Sequence, residues 1–139
     1  MYYNNRSILV YKALPKNERT FSIKIEGDIS GETFEGQFTT KCVLNMAEKH
    51  TKELEKTRLM ADYANPSGTL AGIAEILSTV RAKLTKWPDW WANLDFGSKV
   101  LDENVVIQIY DEVQALEVQW RSEIRKKVDE DKESPKGNE

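Results

Sequence analysis

Apolar and polar residues alternate strictly over residues 21–26: Phe21, Ile23 and Ile25 share one face, and Ser22, Lys24 and Glu26 share the other. Gly27-Asp28-Ile29-Ser30-Gly31 supplies turn residues. A second run over 33–40 puts Phe34, Gly36 and Phe38 on one face. The two runs predict a β-hairpin over 21–40 with a five-residue loop. Gly36 among bulky neighbours predicts a bulge or a close approach of another backbone. A lone hairpin is unstable in water, so its apolar face needs a helical layer.

The period then changes. Asn45 with Glu48 three residues on is a capping-box pattern. Ala47, His50, Leu54, Thr57, Ala61 and Ala64 form a weak stripe, predicting a loosely held helix over about 45–63 that stops at Asn65-Pro66-Ser67-Gly68. Leu70, Ile73, Leu77, Val80 and Leu84, widened by Ala74 and Ile76, predict a core helix over about 69–86. It ends at Trp87-Pro88, because the residue before proline is driven from the α region. Residues 88–101 form a connection long enough to hold a short helical turn. Asp102 is placed as the next N-cap, with Leu101 and Val106 at the spacing of a hydrophobic staple. Val106, Ile109, Val113, Leu116, Trp120 and Ile124 then predict a third helix over about 103–128. The reading is an α+β fold, an antiparallel β-hairpin packed on about three α-helices. The single domain spans 21–128, with a loose N-terminal arm (1–20) and a charged, disordered C-terminal tail (129–139).

Composition narrows the function classes. A chain of 139 residues with net charge −3 argues against a nucleic-acid groove, which shows as a basic domain. The run Ile8-Leu9-Val10-Tyr11 is far below the ~20 residues of a membrane span, and the first residues lack the apolar core of a signal peptide. The expectation is a cytoplasmic protein that binds neither nucleic acid nor membrane. One cysteine, Cys42, and one histidine, His50, cannot build a structural zinc site.

Catalytic candidates are few. His50 lies on the weak stripe and reads as a partly buried packing residue, with no nucleophile or acid nominated beside it. Cys42 reads as a small buried hydrophobe. Asp102, Glu103, Asp111 and Glu112 read as capping and solvated-face residues, since no metal-binding spacing surrounds them. The expectation is a non-enzymatic protein with no cofactor, no metal and no catalytic residues.

Trp87, Trp90 and Trp91 are three of the four tryptophans, gathered within five residues at a helix joint. They cannot all point into one small core. The plain reading is that two of them close the corner between helices; the functional alternative, which can coexist with it, is that one stays exposed as a partner anchor.

The order of parts resembles a known family. Gly31-Glu32-Thr33-Phe34-Glu35-Gly36-Gln37-Phe38, then Trp87-Pro88-Asp89-Trp90-Trp91, then Leu101-Asp102-Glu103-Asn104-Val105-Val106 look like the G-x-x-F-x-G-x-F hairpin, P-x-W-W corner and D-x-N-V helix start of the tail assembly chaperones of long-tailed bacteriophages. The resemblance covers about 21–124. It implies binding of the tape measure protein, a long and mostly helical apolar polypeptide, and recruitment of the major tail protein in the host cell cytoplasm. Trp90, Trp91 and Phe96 in the joint, with Phe34 and Phe38 on the hairpin, are the expected partner-binding residues. Assembly as a homo-oligomer stays open. The alternative is a structural virion protein at the head–tail joint or on the capsid, which a free arm over 1–20 would suit. A small hydrolase using His50 ranks last.

Overall fold

The computed structural model describes residues 14–61 and 68–137, with side chains as far as residue 130. The element order is β1 (Arg19–Glu26), β2 (Thr33–Thr40), α1 (Met46–Leu59), α2 (Gly68–Lys83), β3 (Leu84–Lys86), α3 (Asp89–Asn93) and α4 (Glu103–Gly137). The architecture is α+β. Most of the expected N-terminal arm and the Asn65-Pro66-Ser67 break lie outside the described residues. Among the described residues no helix is long and apolar enough to cross a membrane.

The hairpin has the register its alternation implies. Phe21 pairs with Phe38, Ile23 with Gly36 and Ile25 with Phe34, so both apolar faces are one face. Phe21 and Phe38 stack at 5.4 Å. The turn closes with Gly27 N donating to Glu32 O at 2.8 Å, and Gly31 sits at φ +74°, where glycine has no steric cost.

The sheet has a third strand, which the expected helix over 69–86 does not contain. α2 stops at Lys83, and Leu84–Lys86 pairs antiparallel with β2 through a bulge at Thr39/Thr40. Lys41 N donates to Lys83 O at 2.8 Å, extending the ladder. Two forces act together here. Pro88 disfavours helix in the residue before it, and the far edge of β2 offers unpaired backbone groups.

The core lies between this sheet and the helices. Phe21, Ile23 and Phe38 from the sheet meet Leu77 and Val80 of α2, Leu84, Trp91, and Val105, Val106, Ile109 and Val113 of α4. The stripe expected on α4 is therefore the buried one. Its backbone continues helical through the charged segment to Gly137, with Asp129 and Glu130 exposed. Trp120 is buried and its Nε1 donates to Lys16 O at 3.1 Å, while Arg19 pairs with Glu123 at 2.8 Å. These contacts tie β1 and the segment before it to α4. Asn17 bridges as well: its Oδ1 accepts from Cys42 N and Val43 N, and its Nδ2 donates to Val43 O. Cys42 is fully buried, as its reading as a small hydrophobe requires.

α1 starts with the capping box its sequence spells. Asn45 Oδ1 accepts from Glu48 N at 2.8 Å, and Glu48 Oε1 accepts from Asn45 N at 2.9 Å. Its orientation is the reverse of the expected one. Ala47, His50, Leu54, Thr57 and Ala61 are all exposed, and the helix has no buried residue. His50 is thus a surface residue, not a packing one. The inward face is Lys52, Glu55 and Lys56, joined to α2 by ion pairs. Ile73, expected in the core stripe of α2, is 45% exposed.

Candidate functional site: the tryptophan corner

Three chain segments far apart in sequence meet at one corner. α3 opens at Pro88, and Trp91 one turn later is 1% exposed, wedged edge-on against Phe38 at 5.8 Å. Trp90 packs edge-to-face on Phe34 at 5.1 Å and Phe38 at 5.9 Å, and its Nε1 donates to Glu35 O at 2.9 Å. Glycine makes these approaches possible. A Cβ on Gly36 would lie 2.7 Å from Pro88 Cγ, and a Cβ on Gly97 would lie 2.6 Å from the Trp91 ring. The close approach expected at Gly36 is therefore real, although a proline ring makes it, not a backbone.

Asp102 and Asn104 fasten the other end of the hairpin. Asp102 Oδ1 accepts from Ile29 N at 2.7 Å and Ser30 N at 2.8 Å, and Oδ2 accepts from Ser30 Oγ at 2.7 Å. Asn104 Nδ2 donates to Glu26 O, and its Oδ1 accepts from Asp28 N. The Asp102 carboxylate thus caps the β1–β2 turn, where its expected role was to cap its own helix. Leu101, expected to staple onto Val106, is 64% exposed. The Ser30 backbone and hydroxyl bonds hold the Asp102 carboxyl below its ordinary pKa. Gly27 leaves room for it, since a Cβ there would meet the carboxylate at 2.3 Å.

The far side of the corner is strained and charged. Asp95 and Phe96 hold φ +53° and +52°, ahead of Gly97 at +99°. A bulky residue in the left-handed region costs on the order of 1–3 kcal/mol and persists only when its surroundings hold it. Phe96 N donates to Trp91 O at 2.9 Å, and Ser98 Oγ donates to Asp95 Oδ2 at 2.7 Å. Arg81 of α2 completes the brace, donating to Asp95 O at 2.8 Å, to Phe96 O at 3.4 Å and to Glu55 Oε2 of α1 at 2.7 Å.

The five expected partner residues therefore divide. Phe38 and Trp91 are buried, at 0% and 1% exposure, and neither can serve as a surface anchor. Both assignments are corrected: these side chains hold the corner together. Trp90, Phe34 and Phe96 are half-buried. Two tryptophans close the corner and one stays exposed, and the exposed one is Trp87, not Trp90 or Trp91. It is 39% exposed and packs edge-to-face with Phe96 at 5.3 Å. Nothing in the sequence marks Trp87 as the exposed member, because it precedes proline at the end of an apolar helical stripe. Strand β3 turns it outward instead.

Beside Trp87 and Phe96 lies a cavity of about 380 Å³, floored by Val80, Leu84 and Trp91 and roofed by Thr51, Lys52 and Glu55 of α1. A second groove of about 330 Å³ runs between α2 and the start of α4, lined by Ile73, Ile76, Val100, Val106 and Ile107. Among the described residues no group of histidine, cysteine and carboxylate side chains could hold a metal ion. No protein-family model, no curated protein and no solved structure matches the chain.

Proposed function

We propose that the chain is a non-enzymatic tail assembly chaperone of a long-tailed bacteriophage. It binds the apolar helical tape measure protein and helps recruit tail tube subunits in the host cell cytoplasm. The observation that carries this reading is that the three motifs behind the family resemblance form one packed unit. The hairpin's Gly36 and Phe38 receive Pro88 and Trp91, and Asp102 and Asn104 fasten the hairpin turn. Motifs that need one another to pack explain why they occur together in that order. The exposed apolar surface suits the client. Trp87, Phe96 and the Ile73–Ile107 groove offer aromatic and aliphatic anchors of the kind a helix-in-groove contact uses.

Co-expression with a tape measure protein of a long-tailed bacteriophage from the same source tests the proposal. The expected result is a soluble complex that Trp87→Ala weakens while the chain stays folded. A tape measure protein that remains insoluble and unbound beside the folded wild-type chain would overturn it.

A further inference from the structure

Helix α1 is attached unlike any other part of the fold. It buries no residue, and its apolar side chains Met46 and Leu54 stand 81% and 57% exposed. Three charge contacts to α2 hold it: Lys52 to Glu75 at 2.8 Å, Lys56 to Glu75 at 3.0 Å, and Glu55 to Arg81 at 2.7 Å. Leu59 adds an apolar contact at the core's edge. These pairs are part-buried, with side chains 15–35% exposed, so each is modest and salt still reaches it, though less than at a free surface. What α1 covers is mismatched to it. The α1 side of the cavity is Thr51, Lys52 and Glu55, whereas the opposite side is mainly apolar, with Val80, Leu84 and Trp91 beside Trp87 and Phe96, and is edged by Ser78, Arg81 and Asp95. At about 380 Å³ the space lies within the range of binding pockets, roughly 300–1,000 Å³.

We propose that α1 is a detachable strap, and that an amphipathic helix of the client takes its place on α2. This rests on the chaperone reading and names the surface that reading would use. The occupant's chemistry follows from what α1 leaves behind. This face of α2 already accepts a helix. An incoming helix must offer a cation to Glu75 and a carboxylate to Arg81, and it gains over α1 by placing apolar side chains where α1 has Thr51. Release also reaches the strained turn, because Arg81 holds Glu55 with one nitrogen and the Asp95 and Phe96 carbonyls with its others.

Hydrogen exchange of the full chain without client tests the strap. Raising NaCl from about 0.05 M to about 1 M should speed exchange over residues 46–59 by about ten-fold and leave 103–116 unchanged. Glu75→Gln, which removes the anchor of both lysines, should do the same at low salt. The probe for the occupant is a labelled synthetic peptide of residues 45–61 carrying Thr51→Leu. It should bind a Lys52→Gln, Lys56→Gln chain, which loosens α1 but leaves Glu75 for the lysines of the peptide, about ten-fold more tightly than the wild-type chain, since binding is reduced by the fraction of chain in the closed state. Slow, salt-independent exchange of α1 in the wild-type chain would overturn the strap, whatever the tape measure experiment gives. Fast, salt-sensitive exchange with no peptide binding would overturn the helical occupant. A strap that behaves as expected in a chain that fails to solubilise the tape measure protein would place the fault in the chaperone reading alone.

Discussion

Two glycine-to-alanine substitutions should have opposite signs, and the reason lies in the corner. At Gly36 the new Cβ would sit 2.7 Å from Pro88 Cγ and 2.9 Å from Pro88 Cβ. The proline ring cannot swing aside as a long side chain would. It opens α3, whose Trp91 is pinned between Phe38 and Gly97. Overpacking of this kind costs about 1–3 kcal/mol. Restricting the unfolded chain returns about 0.4–1 kcal/mol. The net is a loss of about 1–2 kcal/mol, or a fall in Tm of roughly 3–10 °C for a domain of this size. Gly72 lies exposed in α2 with nothing within 4 Å of its new Cβ. Alanine there should stabilise by about 1 kcal/mol, the helix-propensity difference. Thermal unfolding followed by circular dichroism reads both. A Gly36→Ala chain as stable as the wild type or more so would refute the claim that the hairpin is pressed against Pro88.

Trp91→Ala should cost about 3–5 kcal/mol, as for other buried aromatic truncations, whereas Trp87→Ala should move Tm little; denaturant titration of both variants checks this. Lys83 is 4% exposed and pairs with Glu117, which Arg121 also holds. Glu117→Ala should therefore destabilise by about 3 kcal/mol, and Lys83→Met in the same chain should recover much of the loss in the same titration. Acid should loosen the fold through specific carboxylates. Burial works to raise Glu75 and Glu117, but the lysine and arginine bonds outweigh it, and both lie below their ordinary values. Arg58 and Arg81 lower Glu55. Since the folded pKa values are depressed, this stability is complete above about pH 4–5 and is lost as pH falls through the folded values. Tm should decline below that range, and less steeply in Glu75→Gln.

Local pattern carried much of this fold and distance carried the rest. The shared apolar face of the hairpin follows from period-two alternation, and the Asn45–Glu48 box and the buried stripe of α4 follow from helical spacing. β3 was not legible, because Leu84 falls four residues after Val80 and extends a helical stripe without a break. The facing of α1 was not legible either. Its apolar residues suggested the inward side, but pairing with Glu75 and Arg81 turned its lysines and glutamate inward. Asp102 carried the signature of a cap, yet its carboxylate serves a turn more than seventy residues earlier in the chain. The tryptophan cluster was visible as a corner with one exposed member. Which member it was depended on β3.

Quantitative mass spectrometry tests the central claim most directly, comparing mature particles with infected lysate and using the major tail protein as reference. A transient assembly factor should be abundant in lysate and absent from particles. A fixed copy number in mature particles would contradict the chaperone account and make the tryptophan corner a permanent structural interface.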